Sequence, residues 1–176
     1  MEHRIIEVIG HEILDGDIRK AHAESNDSTT GGGARDLRFP KRFKPELDRL
    51  FSGGVLEHGR TDYMVCDFVA SLSDGSEIPV KGLKYAFQPT ESRNGEIRIA
   101  SISDHDFFKQ YPLTNDEDGE LFVVFVRMSS GNPRVMFATQ KQLSDPGSNE
   151  IIAAAMKEAI FSKRARSATI FTASLE

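Results

Sequence analysis

The sequence predicts an α+β fold: a mixed, largely antiparallel sheet or partly closed pseudobarrel with helices near both termini. Three observations carry this. Apolar and polar residues alternate over short runs from Tyr63 onward, hairpin turns such as Ser73-Asp74-Gly75 follow one another, and one strongly periodic helical segment follows Asp145-Pro146. Hairpins in succession argue against a doubly wound parallel sheet, whose strands are separated by helices.

Taken in order, Ile5, Ile6, Ile9 and Ile13 recur near helical spacing, which predicts a helix over residues 2–14 stopped by Asp15-Gly16, with a strand over Arg4 to Ile9 as the alternative. A second short helix is expected over 17–24. Residues 25–33 are turn-formers and glycines and read as a loop. Pro45 to Phe51 reads as a short helix with Pro45 in its first turn and Gly53-Gly54 as its stop. Strands are expected at 63–72 and 76–80, at 82–87 and at 96–102. Leu121 to Met128, the most apolar segment, is expected to be a central strand joined through residues 129–133 to a strand at 134–138. The helix after Asp145-Pro146 places Ile151, Ile152, Ala155, Met156, Ala159 and Ile160 on one face, and Lys163, Arg164 and Arg166 suit its negative C-terminal end. Thr169 to Thr172 reads as an edge strand.

A chain of 176 residues can bury a core without disulfides or metals, and 39% hydrophobic with 28% charged residues is an ordinary globular composition. One domain spanning residues 1–176, alone or within a longer protein, is therefore expected. Cys66 is the only cysteine, which excludes an internal disulfide and a cysteine-cluster zinc site and fits a reduced cytoplasm. No apolar run approaches the roughly 20 residues of a membrane-spanning helix, so no membrane partner is expected. The composition implies no cofactor and bears on no oligomeric state.

The net charge of -5 hides an uneven distribution. Arg35, Arg38, Lys41, Arg42 and Lys44 face only Asp36 between residues 35 and 44. Over a Debye length of about 8 Å local charge governs, so this segment can direct a polyanion to one face of an acidic body. Just before it, Gly31, Gly32 and Gly33 allow backbone N–H groups to approach an anion, and Thr29 and Thr30 add hydroxyl donors. The spacing is neither a Walker loop nor a dinucleotide fingerprint. The plain alternative is a surface connection leading into a strand, with Leu37 and Phe39 inward and Asp36 and Arg38 outward.

The run Asn26-Asp27-Ser28-Thr29-Thr30-Gly31-Gly32, followed by an apolar strand and the short helix at Leu47 to Phe51, resembles the B3-like DNA-recognition (effector) domains of type II restriction endonucleases. The resemblance covers some 25 residues. It implies a pseudobarrel holding the DNA major groove between two arms, with residues 28–44 as one arm and the loop from Arg127 to Arg134 as the other.

Other clusters carry weaker chemistry. Asp104-His105-Asp106 places three polar groups in a row, and adjacent side chains rarely converge on one ion, so Asp104 is expected to cap a helix containing Phe107, Phe108 and Tyr111. The acidic run Asn115 to Glu120 lacks the spacing of a calcium loop and reads as a solvated turn. Asp67, Glu77 and Lys81 are the only set suited to a metal-dependent nuclease, and no Ser-His-Asp or Cys-His set is present. The leading expectation is thus a non-catalytic module of a restriction or defence system that grips duplex DNA. Its contacts would be Thr29, Thr30, Gly31, Gly32, Gly33, Arg35, Arg38, Lys41, Arg42, Lys44, Arg127 and Arg134. A metal-dependent nuclease, and a protein-interaction domain with an acidic working surface, are the alternatives.

Overall fold

The computed structural model describes residues 3–14, 36–88, 95–110, 112, 114–164 and 167–176. Nine strands form one sheet across them: β1 (Ile5–Glu12), β2 (Leu37–Phe39), β3 (Val55–Glu57), β4 (Tyr63–Ser71), β5 (Glu77–Ala86), β6 (Ile97–Ala100), β7 (Leu121–Met128), β8 (Arg134–Thr139) and β9 (Ile170–Ser174). Their order is β2-β6-β5-β4-β8-β7-β1-β9, with β3 added on β4, and every described pairing is antiparallel except β4 with β8. The expected mixed, largely antiparallel sheet is present, and it curls into a nearly closed barrel.

The sheet order ends on β2 and β9, and no backbone ladder joins β2 to β9 or to β1 among the described residues. Side chains link β1 to β2. His11 of β1 places Nε2 2.9 Å from the Arg38 carbonyl of β2, and its ring meets Phe39 edge-on at 4.9 Å. Helix α1 (Lys44–Leu50) follows β2 and buries Leu47 and Leu50 in the barrel core, while its Arg49 reaches Glu7 on β1. Pro45 occupies its first turn, as expected from a residue with no N–H to donate.

Two cores share β7. Val123 and Phe125 face the barrel interior with Phe68, Tyr85 and Ile99, while Phe122, Val124 and Val126 face outward with Val8 and Phe171 under Met156 of α3 (Glu150–Phe161). A strand covered on both faces has no polar side, which explains its continuous apolar run.

Two-sided burial also corrects the expectation for the N-terminus. Residues 5–12 form β1, not a helix: Ile9 enters the barrel and Val8 the outer core, so strand alternation is erased and the isoleucine spacing imitates a helix. The strands expected at 76–80 and 82–87 are one strand bent at Gly82, whose φ of 70° lies in the left-handed region. Two residues of β5, Lys81 and Gly82, oppose the single Asp67 of β4 there, which is a β-bulge. The last long helix starts at Glu150 with Asn149 as its N-cap, not at Asp145-Pro146, and Ile151 lies on its exposed side. A short helix α2 (Gln140–Ser144) precedes it, opened by a reciprocal capping box between Thr139 and Gln142. Asp104 caps nothing: it ends one 3-10 turn, and His105 stands at the start of the next, Asp106–Lys109, without a side-chain cap. Asp36 points inward, accepting from Ser101 N–H at 2.9 Å and pairing with Arg98 at 3.3 Å. The bond secures Ser101, whose φ of 56° is unusual for a residue with a Cβ. The second helix expected at 17–24, the loop at 25–33 and Tyr111 lie outside the described residues.

Candidate nucleic-acid interface

Of the basic segment, residues 36–44 are described; Thr29, Thr30, Gly31, Gly32, Gly33 and Arg35 lie outside the described residues. Arg38 projects from β2 between the buried Leu37 and Phe39 and pairs with Glu96 at 3.8 Å. Lys41 to Phe43 form a 3-10 turn that leaves Lys41 and Arg42 exposed and Phe43 buried. The Arg42 guanidinium lies 4.6 Å over the Phe43 ring, which holds it at the surface by a cation–π contact. Lys44 is bound by Asp48 one helical turn on, at 2.8 Å.

The fold adds a neighbour from the far end of the chain. Pro40 and Arg42 form one wall of a cleft of about 470 Å³, and Ser162, Lys163, Arg164 and Ser167, after the end of α3, form the other. Lys163 donates to both oxygens of Glu12 at 2.8 and 2.9 Å, and the same buried carboxylate accepts from Thr169 N–H at 3.2 Å. This pairing neutralises Lys163 and pins the end of α3 to β1. Arg42 and Arg164 make no ion pair among the described residues, so both present uncompensated positive charge at the cleft. From the sequence, Arg164 is expected only to complement the helix dipole. The available signal is the basic run Lys163-Arg164-Ala165-Arg166, but chain distance from residue 42 hides its partner.

The second expected arm does not come to this cleft. Arg127 Nε lies 3.5 Å from Glu7, whose carboxylate also takes a bidentate bond from Arg49, with contacts of 3.1 and 2.7 Å to Oε2. The Glu7 bond raises the Arg49 pKa above its ordinary value. Glu7 and Glu12 are five residues apart on β1, so the Arg127 cluster and the Lys163 cleft are separated by about 16 Å of strand. Arg134 is held by Glu77. The intervening turn leans on the N-terminal residues, through Ser129 N–H to the Arg4 carbonyl at 2.8 Å.

Of the nuclease set, Asp67 and Lys81 meet, while Glu77 lies apart. Asp67 accepts from Gly82 N–H at 2.9 Å and from Lys81 at 3.3 Å, so it clamps the β5 bulge. The Gly82 bond, with a smaller contribution from Lys81, holds its carboxyl below the usual range. Glu77 pairs with Arg134 and sits opposite Ser71, about 13 Å of strand from Asp67. Among the described residues no three His, Cys, Asp or Glu side chains gather as a metal site. Burial pushes the His105 ring below its ordinary pKa against the opposing pull of Asp104 and Asp106. Cys66 is a buried core thiol, pushed up by burial and by Asp67. The acidic run forms a 3-10 turn, Asp116–Asp118, closed by reciprocal bonds between Asn115 and Asp118.

No protein-family model matches the chain, and no curated protein matches it. No helix among the described residues is long and apolar enough to cross a membrane.

Proposed function

We propose that this chain is a nucleic-acid recognition module that takes duplex DNA against the cleft between Arg42 and Arg164. One observation carries the reading: folding brings Arg42 of the basic segment and Lys163-Arg164 from the far end of the chain to one cleft, on a chain whose net charge is -5. Guanidinium groups suit phosphate because they donate in a planar fork, and Arg42 and Arg164 are uncompensated among the described residues. The Ser167 hydroxyl adds a neutral donor to the same lining, whereas the Ser162 hydroxyl donates to the Glu158 carbonyl at 3.0 Å. The barrel shape agrees with the resemblance to B3-like recognition domains, and a place in a restriction or defence system is what that resemblance implies. The cleft replaces the Arg127 to Arg134 loop as the partner of the basic segment.

Affinity for a labelled duplex, measured by anisotropy across a salt series, tests this. Engagement of about four phosphates gives a log-log slope near -3.6, and Arg42→Ala and Arg164→Ala each flatten it by about 0.9. Arg60→Ala, on the exposed β3–β4 connection, leaves it unchanged. Equal slopes for all three variants, or no binding at low salt, refute the assignment.

A further inference from the structure

Phe161 is the last residue of α3, and its side chain is 93% exposed, the highest of the large apolar residues described. Packing does not account for it. Helix α3 docks through Met156, Ile152, Ala155, Ala159 and Ile160, whereas Phe161 belongs to the side turned away from the sheet. Its position along the chain is informative, because Ser162, Lys163 and Arg164 follow directly and line the basic cleft. Lys163 is committed to Glu12, but Arg164 is not, and Phe161 and Arg164 are three residues apart, so their Cα atoms are separated by at most about 11 Å. A phosphate held at Arg164 would leave its attached base within reach of the ring.

We propose that Phe161 is a stacking platform for an unpaired base of the nucleic acid held in the cleft. The inference rests on the reading of the cleft given above and narrows its ligand to a duplex with a displaced or unpaired base, for which a single-stranded oligonucleotide is the simplest probe. An aromatic face beside a cationic groove is the combination that binds unstacked bases without selecting their sequence. The exposed side of α3 carries Glu150 and Glu158 beside Lys157, so a flat anionic bilayer would meet these carboxylates along the helix, whereas a single base stacked on Phe161 meets only the helix end, where Arg164 follows.

The chain contains no tryptophan, so Phe161→Trp introduces a single tryptophan at the ring position, excited apart from the tyrosines. Its emission is expected to be quenched by a single-stranded oligonucleotide and by a duplex with one unpaired base, and less by a perfect duplex. Phe161→Ala is expected to weaken single-strand binding roughly five- to thirtyfold while leaving the salt slope intact. Because the side chain is exposed, neither substitution should disturb folding, which circular dichroism checks. If oligonucleotide anisotropy shows binding but the emission of the Phe161→Trp variant and the affinity of the alanine variant do not change, stacking is overturned and the cleft reading stands. If no oligonucleotide binds, the cleft reading fails and the inference with it. A blue shift with anionic phospholipid vesicles and no response to oligonucleotides overturns it in favour of membrane contact.

Discussion

Gly10→Ala tests how β1 can be covered on both sides. Gly10 lies between Val124 of β7 and Phe171 of β9, and the Phe171 ring lies across it. A Cβ at this position would fall 2.1, 2.3 and 2.7 Å from three atoms of that ring. Carbon atoms pack at about 3.5–4.0 Å, so the ring would have to move by more than about 1 Å. It has little room. Phe171 is 2% exposed and meets Phe122 edge-on at 5.4 Å, within the core covered by Met156. Overpacking of this kind costs about 1–3 kcal/mol, and alanine recovers about 0.5–1 kcal/mol because glycine is a poor strand residue. The clash wins, with a net loss of about 1–2 kcal/mol, or about 3–6 °C in Tm for a chain of this size. Urea denaturation would show a lower midpoint at an unchanged slope. The double variant Gly10→Ala/Phe171→Leu should be more stable than the sum of the single losses, because removing ring atoms relieves the contact. A Gly10→Ala protein as stable as the parent, or strictly additive losses, would refute the reasoning.

Two further outcomes follow from buried charge. Glu7→Gln breaks the bidentate bond to Arg49 and leaves Arg127 without its counter-charge; since Arg49 is partly exposed, the expected loss is about 1–3 kcal/mol by urea denaturation, with little effect on binding at the cleft. His105 is held below its ordinary pKa by burial, so the neutral ring is the form the fold favours. Its contribution is complete above about pH 6.5 and is lost as pH falls through the depressed folded value. His105→Gln should therefore shrink the drop in urea midpoint between pH 7 and pH 5, and an unchanged drop would contradict the stated cause.

Local chemistry makes much of this fold legible. The hairpins at 73–75 and 129–133, the proline-led helix at 44–50 and the central position of residues 121–128 depend on turn residues, a missing N–H and an apolar run, all of which are local. The N-terminal strand imitates a helix because β1 is buried on both faces and so loses the alternation that marks a strand. The bulge at Lys81-Gly82 imitates a break between two strands because a positive-φ glycine looks the same in either setting. Its resolving partner, Asp67, comes from the neighbouring strand.

The candidate site divides in the same way. Its first half, the exposed Arg38, Lys41 and Arg42 around buried Leu37, Phe39 and Phe43, is legible because alternating burial and local charge are properties of one segment. Its second half is not. Arg164 meets Arg42 across a cleft only because Glu12 ties Lys163 to β1 and His11, on the same strand, meets β2. Arg127 carries the same charge as Arg42 in the sequence, yet Glu7 engages it at the other end of β1. Residue pattern alone thus specifies a curled, largely antiparallel sheet and the presence of a cationic segment. Which cations stay unpaired, and which of them meet, is settled by the packing of distant strands, because neutralisation depends on carboxylates that arrive from elsewhere in the chain and local pattern carries no record of them.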